Sequence, residues 1–291
     1  MEGYSKSTVN YARFMGSLAK CTQASLIFLG VPLDLTVSFR PGTRFAPQEV
    51  RMYSYVLEDY SLSVGGSLQK TAFADIGDVD LPFGNLRRSF EVIENLIAEI
   101  VGDGKRFLAI GGEHLVTYPI IKGVIREIEN IVVLQVDAHM DVRDSYQGET
   151  FSHATVVRRI AELIGPERVY QVGIRSATRE EYIWARDNTH LYPHDVLRNV
   201  GNLIRELKGK KVYLSIDIDV VDPAYAPGVG TPEPGGITSM ELFDFLYSLK
   251  EVEFIGGDIV EISPPYDREG ITSLLGARIA RDLIIQWGGG V

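Results

Sequence analysis

Asp137, His139 and Asp141 stand two residues apart, directly after the apolar run Val132-Val133-Leu134-Gln135-Val136. That run reads as a buried strand, and while the backbone stays extended the two-residue spacing turns all three side chains to one side. Two carboxylates and an imidazole crowded at a buried strand end repel and desolvate one another. A bound cation is the simplest remedy. The competing reading of this stretch alone is a loop carrying surface acids.

The pattern recurs along the chain. An apolar segment over 211–216 delivers Asp217, Asp219 and Asp222; one over 106–110 runs into Gly111-Gly112-Glu113-His114; one over 254–260 ends at Glu261. Ligands of open parallel sheets bind outside the carboxyl ends of the strands, so residues remote in sequence can converge there. Asp137, Asp141, Asp217, Asp219 and Asp222 would gather negative charge at one edge, and each unit of raised pKa costs about 1.4 kcal/mol. Two imidazoles and four carboxylates suffice for two divalent ions. Hard oxygen donors mixed with histidine favour manganese, with magnesium, iron and zinc as alternatives. Two adjacent ions suit hydroxide formation near neutral pH and charge stabilisation in hydrolysis.

Such a site needs a sheet. Apolar segments over 25–31, 71–78, 106–110, 132–136, 169–174, 190–192, 211–216 and 254–260 read as strands. Helical spacing or capping signals fill the intervals: 47–55, 90–100, 116–129, 152–163, 180–187, 195–207, 238–249 and 272–287. Strands and helices alternate with no linker or repeat, which predicts an α/β fold in one domain, residues 1–291, with 1–24 as an N-terminal arm. The sheet is expected to be mostly parallel with helices on both faces. Asp75 and Asp78 read as satisfying backbone groups in a turn.

Composition narrows the partners. Of 291 residues, 45% are apolar and 23% charged, as in ordinary globular chains, and the formal charge is −10. With no basic run, nucleic acid and anionic membrane are not expected as partners. There is no apolar run of about 18 residues to span a membrane. Met1 to Lys20 lacks the apolar core of a secretory signal. The single cysteine, Cys21, excludes an internal disulfide and fits a cytoplasmic location.

Gly111-Gly112-Glu113-His114, Asp137-Ala138-His139-Met140-Asp141 and Ser215-Ile216-Asp217-Ile218-Asp219-Val220-Val221-Asp222-Pro223 resemble the three metal-binding signatures of the ureohydrolase (arginase/agmatinase) family. The resemblance runs from about Leu26 to the C-terminus. It implies a three-layer α/β/α sandwich around an eight-stranded parallel sheet, two manganese ions per subunit, and homo-oligomers, trimers or hexamers. By motif, His114, Asp137, Asp141 and Asp217 would hold one ion and His139 and Asp219 the other, with Asp137 and Asp217 reaching both. Asp222 is not a family ligand and reads as a cap for its loop. His153, in Phe151-Ser152-His153-Ala154-Thr155, matches the family's acid/base histidine, although a histidine at a helix start is more often structural. The positive helix end and nearby cations would lower its pKa. Glu261 matches the carboxylate that grips the guanidinium; the residues alone favour a strand-end acid paired with a local arginine.

What the resemblance implies chemically is attack of a metal-bridging hydroxide on a guanidinium carbon, releasing urea and an amine, with Asp141 among the catalytic ligands. The loop over 142–151 would read the substrate's far end. It resembles the agmatinase branch more than the arginases, which suggests agmatine as substrate and putrescine as product. Asp144, Glu149 or Glu233 could meet the terminal ammonium of this small cationic guanidino compound. Arg143 could instead meet a carboxylate, as in guanidinobutyrate, or pair with a neighbouring acid. Formiminoglutamate and arginine are further candidates. A dinuclear phosphoesterase is disfavoured by the lack of a basic phosphate clamp. A non-catalytic metal-binding protein on this fold would be expected to have lost ligands that are all present here.

Overall fold

The computed structural model describes residues 7–9, 12–17, 20–82, 84–194 and 196–290. Among the described residues eleven strands appear in chain order: β1 (Thr8–Val9), β2 (Leu26–Val31), β3 (Tyr60–Ser61), β4 (Gly66–Ser67), β5 (Phe73–Val79), β6 (Arg106–Gly111), β7 (Ile131–Val136), β8 (Val169–Val172), β9 (His190–Tyr192), β10 (Lys211–Asp217) and β11 (Glu253–Val260). The helices are α1 (Ala46–Ser54), α2 (Leu86–Gly102), α3 (Thr117–Glu127), α4 (Val156–Ile164), α5 (Arg179–Asn188), α6 (Val200–Leu207), α7 (Ser239–Ser248) and α8 (Ile271–Gly288).

Nine strands form one sheet in the order β1-β5-β2-β6-β11-β10-β7-β8-β9, and β3 and β4 make a separate two-stranded ribbon. The eight expected strands are all present and mutually parallel. The ninth, β1, pairs antiparallel with β5 and falls in the stretch expected to be an arm, much of which lies outside the described residues. Two residues are too short to show a periodicity.

Strand sequences split by alternation into two cores. In β7, Val132, Leu134 and Val136 join one apolar cluster with α1, α7 and α8, while Ile131 and Val133 join the other with α2, α3 and α4. Burial on both faces is why these strands read as continuous apolar runs, and it makes the predicted three-layer α/β/α sandwich.

Two local expectations change. Helix α6 begins at Val200, because 196–199 form turns; Asp195 lies outside the described residues. Asp75 does more than satisfy a turn. It accepts a 2.9 Å bond from the Gly77 N–H, but it also binds the Arg51 guanidinium at 2.7 and 2.9 Å, with Asp78 on the other side of the same arginine. All three groups belong to a largely buried ion network, where a lone charge would be costly.

The order of the central strands is what builds a site. β6, β11, β10 and β7 are consecutive neighbours, so their carboxyl ends line one edge, with Asp217 closing β10 and His114, Glu261 and Asp137 just beyond the other three. Register aligns them further: Ser215 pairs with Asp258 on one side and with Gln135 on the other.

Candidate metal centre and substrate cavity

Two ligand clusters form where those four strands end. His114, Asp137 and Asp141 make one; Asp137, His139 and Asp219 make the other. His114 Nδ1 lies 3.1 Å from Asp137 Oδ2, 3.1 Å from Asp141 Oδ2 and 3.4 Å from Asp217 Oδ2. His139 Nδ1 lies 2.9 Å from Asp219 Oδ2 and 3.8 Å from Asp137 Oδ1. Asp137 therefore offers one oxygen to each cluster. Asp217 turns Oδ2 toward His114, while its Oδ1 accepts the Asp219 N–H at 2.9 Å.

Local backbone explains the placement. The strand ends at Val136, and Asp137 Oδ1 accepts the His139 N–H at 2.6 Å, which turns the chain around the carboxylate. Asp141 and Glu261 adopt left-handed backbone at φ 54° and 64°. At Gly112 a β-carbon would stand 1.8 Å from the Leu33 carbonyl oxygen, so only glycine lets the chain pass there before His114.

The residues fit divalent ions. A hard ion about 2.1 Å from each octahedral donor spaces adjacent donors about 3 Å apart, close to the distances found. His114 Nδ1 and Asp219 Oδ2 are buried without a hydrogen-bond partner, although both lie within ion-pair distance of neighbours. Donor atoms that are close but not aligned for hydrogen bonding face a common point rather than each other. Oxygen-rich donors with two imidazoles suit manganese.

Electrostatics give the same account. Burial alone would lower the His114 imidazolium, but Asp137, Asp141 and Asp217 outweigh it and raise it well above the ordinary range. His139 is likewise raised to about 11, Asp219 being the main opposing charge to burial. Burial and then Asp137 push Asp141 up to about 6, and burial with Asp219 and Asp137 pushes Asp217 well up. Asp219 alone is lowered, to about 2, because His139 overcomes its burial. Without an ion, protons must neutralise this cluster.

Outer partners orient the donors. His114 Nε2 lies 3.0 Å from Ser215 Oγ, which donates to Asp258 Oδ1 at 2.6 Å. Thr117 and Tyr213 hydroxyls donate to Asp258 Oδ2 at 2.7 and 2.6 Å. With the serine proton spent on Asp258, Nε2 must be the donor and the Nδ1 lone pair is left for an ion. On the other flank Gln171 Nε2 donates to Gln135 Oε1, and Gln135 Nε2 donates to Asp137 Oδ2 at 2.6 Å. The sequence reading missed Ser215, Asp258 and Gln135 as site residues. Their signal was a polar residue in the middle of an otherwise apolar buried strand.

A cavity of about 320 Å³ opens over the clusters, and His139, Asp141, Asp217, His153 and Glu261 all line it. Ser152 caps the turn that begins at His153, accepting the Ala154 N–H at 3.2 Å, so the histidine sits at the start of the α4 segment. Burial, with the His139, His114 and Arg143 charges, lowers its pKa to about 4. Glu261 Oε1 accepts the His114 N–H at 2.7 Å, and burial pushes its carboxyl well up despite that bond. Among the described residues no arginine lies within ion-pair distance of it.

Asp144 is an exposed partner of Arg159 at 2.9 Å, and neither it nor Glu149 or Glu233 lines the cavity. Tyr146 and Glu149 form a two-residue hairpin over Gln147 and Gly148, both at positive φ, and the turn presents Tyr146 to the cavity. Arg143 also lines the wall, 3.4 Å from Glu181 Oε2, the neighbouring-acid pairing. Glu181 was hidden as the capping-box acid of α5. Asp222 caps its loop as expected, accepting the Ala224, Gly235 and Gly236 N–H groups.

Fold and site together define an α/β/α hydrolase-type scaffold with paired ligand clusters at the strand ends. The arginase family model matches residues 24–286. A curated agmatinase of Bacillus anthracis is 41% identical over 277 residues, covering 94% of this chain and 96% of its own. A guanidinobutyrase of Pseudomonas aeruginosa is 39% identical, covering 88% and 84%. The solved agmatine ureohydrolase of Thermoplasma volcanium superposes with a TM-score of 0.86 at 32% identity, covering 96% of this chain and 94% of its own. The chain belongs to the arginase family, and it is a ureohydrolase-type enzyme that acts on guanidino groups.

Proposed function

We propose that this enzyme hydrolyses agmatine to putrescine and urea with two manganese ions per subunit. The observation that carries the reading is Asp137, which gives one oxygen to each ligand cluster beneath a cavity walled by Glu261 and His153. The agmatinase relatives support the substrate. In this reading His114, Asp137, Asp141, Asp217, His139 and Asp219 hold the ions, which supply an activated water near neutral pH and offset developing negative charge.

The chain's own groups do the rest. Glu261 accepts guanidinium N–H groups in charge-assisted hydrogen bonds. That binding also neutralises a carboxylate held at high pKa by burial. His153, neutral near pH 7, takes a proton and delivers it to the nitrogen that leaves as the C–N bond breaks. Tyr146 and the Arg143–Glu181 pair stand along the wall for the aliphatic tail.

Guanidinobutyrate is the second reading, favoured by one observation: Arg143 reaches the cavity wall and could bind a carboxylate. Urea and amine formation over agmatine, guanidinobutyrate, formiminoglutamate and arginine, with manganese added, separates the two. A higher kcat/KM for a carboxylate-bearing compound rejects agmatine. We further propose a cytoplasmic trimer or hexamer. The single cysteine supports the location and the exposed apolar side chains Phe39, Phe45, Met52, Tyr55 and Val56 support the assembly, which sedimentation tests.

A further inference from the structure

The loop between β2 and α1 reaches the cavity and meets the His153 ring on two edges. Thr36 Oγ1 lies 3.4 Å from Nδ1 and accepts the His153 backbone N–H at 3.0 Å, while Ser38 Oγ lies 3.4 Å from Nε2. Behind Thr36 stands Glu113, fully buried. Its Oε1 accepts the Leu35 and Thr36 N–H groups at 2.8 and 3.1 Å; its Oε2 accepts the Thr36 N–H at 3.0 Å and the Thr36 hydroxyl. Tyr146 packs edge-to-face on the imidazole with centroids 5.5 Å apart.

With Glu113 ionised, a proton count favours one arrangement of these groups. A threonine hydroxyl has one proton and two lone pairs. Burial pushes Glu113 up to about 7, while the Leu35 and Thr36 N–H groups aimed at its two oxygens favour the ionised form; toward that carboxylate the Thr36 hydroxyl can only donate. Thr36 Oγ1 then turns only lone pairs toward His153. One accepts the backbone N–H, and the other is satisfied by a proton on Nδ1. A neutral imidazole has one ring proton, so the lone pair is left on Nε2, at the edge where Ser38 stands in the cavity wall.

We propose that Thr36, itself held by Glu113, is a positioning residue that fixes His153 as its Nδ1–H tautomer and so presents the Nε2 lone pair to the reaction. The inference rests on the reading of His153 as the proton-transfer group. Water adds its oxygen to the guanidinium carbon and gives a proton to Nε2. The same proton passes from Nε2 to the departing nitrogen as the C–N bond breaks, and the ring returns to its starting form. The opposite tautomer would present an N–H where a lone pair is needed.

The test reads the tautomer directly. Long-range proton–nitrogen spectra of the 15N-histidine-labelled protein, with diamagnetic magnesium present and His153→Ala used to assign the signal among five histidines, should show Nδ1–H for His153. Thr36→Val should move it to Nε2–H or a mixture. The same variant should lower kcat about 10- to 100-fold, part of the ~10²–10⁴ that a positioned acid–base group supplies, with KM held within about twofold. Thr36→Ser, which keeps the hydroxyl, should stay within about threefold of the parent. An Nε2–H signal in the parent overturns the proposal, whatever the variants do. So does an unchanged kcat in Thr36→Val when His153→Ala is slow, and in that case the reading of His153 stands. An unchanged rate in His153→Ala defeats both.

Discussion

Replacing Ser215 by alanine should loosen ion binding without touching an ion ligand. The hydroxyl accepts from His114 Nε2 at 3.0 Å and donates to buried Asp258 at 2.6 Å. Ser215→Ala leaves Nε2–H without its acceptor and frees the imidazole to flip tautomer, while Asp258 keeps the Thr117 and Tyr213 hydroxyls. A hydrogen bond to a charged group contributes about 1.5–3 kcal/mol. If all of that falls on the ion-bound state, affinity drops by about 10- to 150-fold, at roughly 1.4 kcal/mol per decade. Loss of such outer partners typically costs about 10- to 100-fold, an independent figure of the same size. If the loss falls instead on the ion-free fold, it appears as a melting shift of about 2–4 °C per kcal/mol. Manganese titration by calorimetry and thermal melts of the ion-free protein separate the two. Affinity within about twofold of the parent, with an unshifted melt, would falsify the argument that Ser215 sets the donor nitrogen.

Three further outcomes follow from the same geometry. Asp137→Asn removes a charge from both clusters, so it should lose both ions and turnover while retaining the fold; metal analysis finding one ion retained at full strength would break the shared-ligand assignment. In ion-free protein at pH 7, His114 and His139 are protonated, whereas an ion's ligand must be neutral. Binding should thus release at least about two protons, and affinity should rise with pH. Calorimetry in two buffers of different ionisation enthalpy measures this, and zero release contradicts it. Arg51→Met should destabilise the fold by about 3–5 kcal/mol by stranding Asp75 and Asp78; a chemical-denaturation loss under about 1 kcal/mol would show the network to be dispensable.

The strands and the candidate ligand clusters were legible because one fact produces both signals. A strand buried on two faces is apolar throughout, so acids and histidines placed just after it stand out. The insertion of β11 between β6 and β10 was not legible, since no periodicity records which strands are neighbours. Which residues of the 142–151 loop line the cavity was not legible either. Asp144 and Glu149 carry the charges that a cationic substrate suggests, but the backbone turn at Gln147–Gly148 decides which side chain of that loop faces inward, and it selects Tyr146. Glu181 went unnoticed because its local duty as a capping residue fully explains its presence. Thr36 and Glu113 act on His153 from 117 and 40 positions away in the chain, a link that exists only once the β2–α1 loop is folded over the site.

Asp141 and Glu261 both hold a left-handed backbone that a glycine would adopt freely and an asparagine more readily than either acid. Each such residue stores on the order of 1–3 kcal/mol of strain. Selection for heat resistance alone would therefore find gains at these two positions, and each gain would delete a proposed ion ligand or the proposed guanidinium clasp. A library ranked only by melting temperature should be enriched in inert proteins at the top. Laboratory evolution of a hardier variant thus has to screen for turnover at every round, because two of the five left-handed non-glycine residues among those described lie at the candidate site.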